Sequence, residues 1–306
     1  MDKRDIHDRR RKLVNALKRI EKSKISEHNK KLILSFKEDC SANSLSIERI
    51  LFYVNKLTIM AGLIEKNYDE LDKDDIMHLL MLVENRKISP YTKQGYKVTL
   101  KKFYKWINGG KDYPPIVSWI KTRVNLCSKV LPSNLLTKED IVKMVDGAKY
   151  FRDKAIIMTL YESGFRIGEL LNTKMGDLEF TKYGVKVNVI GKTGARRVLL
   201  ISSMPYISNW IANHPDKSNP DAYIWTALRY NKKLGTELNY PAVAKMIKET
   251  AKKCCVTKRV NPHSFRHARA TELANKLTEA QMNMYFGWVQ GSDMPATYVH
   301  LSGRDV

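Results

Sequence analysis

The chain has 306 residues, 43% of them hydrophobic, with 54 Lys and Arg against 32 Asp and Glu for a formal charge of +22. That length exceeds one ordinary core and fits two domains, and the hydrophobic content excludes wholesale disorder. The basic excess favours a polyanionic partner, nucleic acid first, although ribosomal proteins and heparin binders share it.

Residues 1–24 are dominated by basic side chains, Arg9-Arg10-Arg11-Lys12 among them, with Leu13, Leu17 and Ile20 at helical spacing. They read as an N-terminal arm or exposed amphipathic helix, either a solvated tail or an extra DNA or partner contact. Residues 25–110 form a helical domain. Leu32, Ile33 and Phe36 mark one helix, and Ser46 caps the next, with the stripe Ile47, Ile50, Leu51 and Val54. Ile76, Leu79, Leu80 and Val83 mark a third. Ser89-Pro90 opens a fourth, whose apolar stripe is Tyr96, Leu100, Phe103 and Ile107. On a different face of that helix stand Lys93, Lys97, Lys101 and Lys105, with no acidic residue between Asn85 and Lys111. Like charges at this spacing repel by about 0.2–0.5 kcal/mol each. The row is either an ordinary solvated face or a DNA-facing surface, and the missing acids favour the second.

Gly109-Gly110 ends the helix and Pro114-Pro115 follows, so residues 111–135 read as a linker with a short apolar segment, Ile116, Val117, Trp119 and Ile120. Thr137-Lys-Glu-Asp140 has the form of a capping box and opens a second domain, 136–306. That domain is helical around 153–163, from Ile167, and over 239–255, 263–274 and 278–286. Its β element is a hairpin. Val185, Val187 and Val189 alternate with polar residues, Gly191-Lys192-Thr193-Gly194 turns, and Val198 to Ile201 return. The expected fold class is mainly α (α+β), with one small antiparallel β-sheet.

Cys40, Cys127, Cys254 and Cys255 show no CxxC spacing and read as reduced cytosolic thiols. Met1-Asp2-Lys3-Arg4 leads into charge rather than an apolar signal, and no apolar run spans a bilayer. A cytoplasmic protein without membrane contact is expected.

Arg166 lies in Gly164-Phe-Arg-Ile-Gly-Glu-Leu170, just after a helix break; it either serves an anion or only pairs with Glu169. Lys192 occupies the hairpin turn, where lysines are common. His263-Ser-Phe-Arg266-His267 begins a helix after Pro262, which puts a histidine and an arginine on one face near free N–H groups and a positive dipole. His263 and His267 also have a metal-like spacing, but no carboxylate or cysteine accompanies them, so no metal is expected. The last segment carries Gly287-Trp288 and then Ala296-Thr-Tyr298-Val-His300.

In joint order these boxes resemble the catalytic constellation of the tyrosine recombinase and integrase family. The segments 164–170, 190–192, 263–271 and 296–300 are similar to its first arginine box, lysine hairpin, HxxR box and nucleophile box. The resemblance implies a helical SAM-like core-binding domain over 25–110 and a tyrosine recombinase catalytic domain over 136–306, together forming a clamp around duplex DNA. It implies Tyr298 as nucleophile, Arg166 and Arg266 as bidentate clamps on the scissile phosphate, and Glu169 holding Arg166. His263 would help remove the tyrosine proton, and Lys192 would protonate the leaving 5′ oxygen. Trp288 stands where many relatives carry histidine; its indole N–H donates but cannot exchange a proton at neutral pH. The product would be a 3′-phosphotyrosyl bond, needing neither metal nor cofactor.

The implied partners are double-stranded DNA attachment sites, with a homo-tetramer on paired sites that integrates or excises a mobile element. The run Tyr298 to Val306 most resembles archaeal integrases of viruses and plasmids. Only eight residues follow Tyr298, where relatives carry a further docking helix, so either the chain is shortened or its assembly differs. A type IB topoisomerase-like enzyme and a non-catalytic DNA-binding regulator on the same fold are the alternatives. Exchange between two defined sites would separate the first from a recombinase.

Overall fold

The computed structural model describes residues 4–124, 134–191, 193–228 and 236–301, with residues 300 and 301 described by backbone alone. They fall into two compact units, Asp8–Ser128 and a second made of Met1–His7 with Lys129–Val306.

The first unit is helical: α1 (Arg9–Glu21), α2 (Glu27–Ala42), α3 (Ile47–Ala61), α4 (Lys73–Glu84), α5 (Pro90–Ile107) and the short α6 (Pro115–Ser118). Serines set the entries of three of them. Ser26, Ser46 and Ser89 each accept the backbone N–H three residues on, satisfying a donor the helix leaves free. The apolar stripes meet in one core, where Phe36, Leu57, Phe103 and Tyr68 are fully enclosed. Tyr68 keeps its hydroxyl satisfied by donating to the Leu57 carbonyl at 2.7 Å.

Of the two readings of residues 1–24, the amphipathic helix is the one found, as α1, with its apolar face packed rather than exposed. Ala16 and Ile20 on α1 are 2% and 1% exposed within this core, and the arginines turn outward, Arg9 to Glu48 at 3.2 Å and Arg19 to Asn55 at 3.1 Å. The expected linker is shorter, because Val117 and Ile120 belong to the same core.

The second unit contains α7 (Lys138–Gly147), α8 (Phe151–Ser163), α9 (Ile167–Leu171), strands β1 (Leu178–Thr181), β2 (Gly184–Gly191) and β3 (Gly194–Leu200), then α10 (Met204–Ala212), α11 (Tyr240–Lys253), α12 (Pro262–Ala274), α13 (Glu279–Phe286) and α14 (Met294–Leu301). Thr137 and Asp140 form the capping box of α7. The sheet is antiparallel in the order β1-β2-β3, with Gly191 opposite Gly194 at the end of the β2–β3 hairpin. Val185, Val187 and Val189 face inward into the same core as α8, whose Ala155, Ile156, Ile157 and Leu160 are fully buried. The β1 strand and α10 were not anticipated: four residues are too few for a clear alternation, and α10 opens on Met204-Pro205 with no side-chain cap. What sets the turn before α10 lies far away in sequence, the buried Glu162 carboxylate, which accepts the amides of Ile201, Ser202 and Ser203 at 2.8, 3.0 and 2.6 Å.

The start of the chain is a strap on this second unit. Ile6 is 4% exposed in its core and accepts the Tyr240 amide at 3.1 Å. Arg4 bonds to the carbonyls of Leu171 and Leu238 and pairs with Glu237 at 2.9 Å. The strap thereby ties the end of α9 to the start of α11.

Candidate active site

The first arginine is placed by a forced helix end. Gly164 closes α8 with φ 57°, and a Cβ there would lie 2.4 Å from the Phe286 ring. The chain then reverses into α9 with Arg166 at its N-cap position and Glu169 one turn on. Glu169 accepts the Arg166 amide and a guanidinium N–H, both at 2.8 Å, while Arg166 Nη2 donates to the Gly287 carbonyl at 3.0 Å.

The second arginine comes from the first turns of α12. Asn261 accepts the amides of His263 and Ser264 at 2.9 and 3.1 Å, and Pro262 follows that cap. Arg266 then points inward, 3% exposed, donating to the carbonyls of Gly164 at 2.8 Å and Phe286 at 2.7 Å. Its guanidinium carbon lies 5.1 Å from the Phe286 ring and 5.5 Å from the Trp288 ring. Burial, and next the Arg166 charge, bring its pKa down to about 10, so it stays cationic at neutral pH.

Tyr298 on α14 is 3% exposed and stacks on Trp288 (5.4 Å between centroids, 8° between planes), which in turn stacks on Phe286 at 4.8 Å. The Tyr298 hydroxyl lies 2.7 Å from His267 Nδ1. His263 sits edge-on to His267, 4.8 Å between centroids. Burial raises the Tyr298 pKa against the opposing effect of Arg266. It lowers His263, with Arg266 and Arg166 adding to the effect, and lowers His267 to about 4, with His263 and Arg266 adding. Both imidazoles are therefore neutral at pH 7.

Arg166, Glu169, His263, Arg266, Trp288 and Tyr298 thus come together on α9, α12, α14 and the turn after α13. Lys192 lies outside the described residues; its neighbour Thr193 donates to the Gly287 carbonyl at 3.0 Å, on the same turn that Arg166 reaches. Two members were missed. In the sequence His267 reads only as a candidate metal ligand, and its proximity to Tyr298 depends on α12 packing against α14. Arg196 on β3 makes two bonds to Glu169, 2.9 and 2.7 Å, and one to the Tyr285 carbonyl at 3.0 Å, with its side chain 8% exposed. Nothing in local spacing predicts that strand position.

The Glu169 carboxylate accordingly serves two guanidiniums. Burial pushes its pKa up, but the hydrogen bonds and charge of Arg196, with Arg166, overcome this and hold it below the ordinary carboxylate value. Arg166, Arg196 and Arg266 against one Glu169 leave this cluster cationic, as a phosphodiester site requires.

The lysine row on α5 differs from expectation. Lys93 and Lys97 both pair with Glu84 of α4, at 3.4 and 2.8 Å, and Lys101 donates to the carbonyls of Ser118 and Ile120 at 3.1 Å. The acid missing from α5 is supplied across the helix pair, so self-repulsion no longer argues for a DNA-facing role.

Residues 134–304 match the model of the Phage integrase family. Tyrosine recombinase XerA of Pyrococcus horikoshii is 34% identical over 150 residues, 48% of this chain and 50% of that protein, so the match spans half the length of that relative. Tyrosine recombinase XerD of Chlamydia trachomatis is 27% identical over 243 residues, 74% of each chain. A solved lambda integrase dimer bound to a COC' core site aligns at a TM-score of 0.70 and 13% identity, covering 90% of this chain and 78% of that one, a likeness of fold. No helix among the described residues is long and apolar enough to cross a membrane. The family model takes in more than half of the sequence, including every segment from which the cluster is built, and the chain belongs to the phage integrase family of tyrosine recombinases.

Proposed function

We propose that the chain is a site-specific DNA strand transferase. Tyr298 attacks the scissile phosphorus, the P–O5′ bond breaks, and the 3′ phosphate remains on Tyr298 as a phosphotyrosyl ester. The 5′ oxygen takes a proton, which the family resemblance assigns to Lys192. Arg166 and Arg266 stabilise the charge that develops on the non-bridging oxygens, and Trp288 holds the tyrosine ring. The phosphodiester energy is retained in the ester, so a 5′ hydroxyl from a second strand can reverse the step on a new partner. The chemistry calls for no metal or cofactor.

The observation that carries this reading is the continuous stack of Arg266, Trp288 and Tyr298, which sets a tyrosine hydroxyl in the same cluster as two guanidiniums. The substrate follows as double-stranded attachment sites, paired in a homo-tetramer, with a mobile element integrated or excised. The C-terminal run and the Pyrococcus relative favour an archaeal virus or plasmid source. Lys93, Lys97, Lys101 and Lys105 remain DNA contacts in this reading on the strength of the net charge alone. The test uses a nicked suicide duplex carrying the target site. Wild type should accumulate a covalent adduct and Tyr298→Phe none, while both bind the duplex alike; an adduct with the Phe variant would remove Tyr298 from its role.

A further inference from the structure

We infer that His267 is a catalytic residue of this site, the group that takes the hydroxyl proton of Tyr298 as the tyrosine attacks. The inference rests on the reading of Tyr298 as nucleophile and goes beyond it by naming the proton's destination.

Among the described residues His267 Nδ1 is the hydrogen-bond partner of the Tyr298 hydroxyl, at 2.7 Å, within the reach that proton transfer needs. The other bases nearby are committed elsewhere. Glu169 is held by Arg166 and Arg196. His263 stands one helical turn before His267, edge-on to its ring and within the influence of Arg266 and Arg166.

The groups facing His267 are His263 and Arg266 on its own helix α12 and Tyr298 on α14. Burial first, and then His263 and Arg266, favour a neutral imidazole in the free protein, which leaves a lone pair at Nδ1 when the ring proton sits on Nε2. A phosphate arriving at Arg166 and Arg266 adds negative charge to this cluster and raises the proton affinity of His267 as the tyrosine needs it. In the step, the O–H bond of Tyr298 breaks to Nδ1, the bond from its oxygen to phosphorus forms, and P–O5′ breaks with a proton supplied to O5′. The imidazolium left behind returns its proton to Tyr298 when a 5′ hydroxyl reverses the step. His263 then serves the phosphate from its place beside the arginines.

Two variants test this on the suicide duplex under single-turnover conditions. His267→Asn keeps an acceptor near the position of Nδ1 but takes no proton at neutral pH, and should slow adduct formation by about a hundredfold or more with duplex binding unchanged. His267→Ala should be slow as well and should recover in proportion to added imidazole, a response that a packing role would not give. Adduct formation by His267→Asn within threefold of wild type, faster cleavage by either variant, or an His267→Ala protein indifferent to imidazole would overturn the assignment. An adduct with Tyr298→Phe overturns the nucleophile itself. An inert Tyr298→Phe beside an active His267→Asn removes only His267.

Discussion

Replacing Arg196 with methionine removes a guanidinium while keeping most of the side-chain volume. The change strips two of the donors, at 2.9 and 2.7 Å, from a carboxylate whose side chain is 4% exposed, and leaves the Tyr285 carbonyl without its partner. Arg166 still gives Glu169 its amide and one guanidinium N–H. The loss therefore stays below the roughly 3–5 kcal/mol of a buried charge left wholly unpaired. Hydrogen bonds to charged groups contribute about 1.5–3 kcal/mol, which points to about 2–3 kcal/mol here. At about 2–4 °C per kcal/mol for a unit of this size, Tm should fall by about 5–10 °C at pH 7. The sign of the pH dependence follows from Glu169. Its folded pKa is depressed, so its contribution is present above the ordinary carboxylate value and lost as pH falls through the folded one. Without Arg196 burial is less opposed and the folded pKa rises, so the variant has less of this contribution to lose in acid than wild type. The gap in Tm between wild type and variant should thus narrow between pH 7 and pH 4, read by calorimetry. A Tm unchanged at pH 7, or a gap that widens in acid, would refute the reasoning.

Gly164→Ala should destabilise the second unit by about 2–4 kcal/mol in urea unfolding. The left-handed backbone alone costs about 1–2 kcal/mol, and the new Cβ meets the Phe286 ring at 2.4 Å. Because Phe286 and Gly164 both hold Arg266, adduct formation should fall with it; stability within 0.5 kcal/mol of wild type would contradict this. Ile6→Ala should loosen the N-terminal strap by about 2 kcal/mol, the low end for a buried isoleucine because a chain end relaxes. The Tyr240 amide, bonded to the Ile6 carbonyl, should then exchange at least about tenfold faster in hydrogen-exchange experiments. Unchanged protection would mean that the strap contributes nothing there.

Local signals made much of this molecule readable. Ser46, Ser89 and Thr137 cap the helices that follow them, and the alternating valines of β2 mark the hairpin strand that pairs with β3. The segments that bring Arg166, His263, Arg266, Trp288 and Tyr298 together were readable for the same reason: each is a short run whose residue types suit phosphate chemistry. What stayed hidden depends on contacts between distant segments. Arg196 reaches Glu169 only because β3 pairs with β2 in a register that turns it toward α9. Glu84 neutralises lysines that belong to a different helix. His267 becomes the partner of Tyr298 through the packing of α12 on α14, which no spacing along the chain encodes. The apolar spacing of α1 was legible, but not that Ala16 and Ile20 are buried in a core shared with distant helices.

The central claim is that Tyr298 carries the DNA through a 3′ phosphate. Trapping the adduct on a suicide duplex, digesting it with protease and nuclease, and locating the modified residue by mass spectrometry tests that most directly. A nucleotide joined through its 3′ phosphate to Tyr298 is the result predicted. A linkage to any other residue, or through a 5′ phosphate, would contradict it.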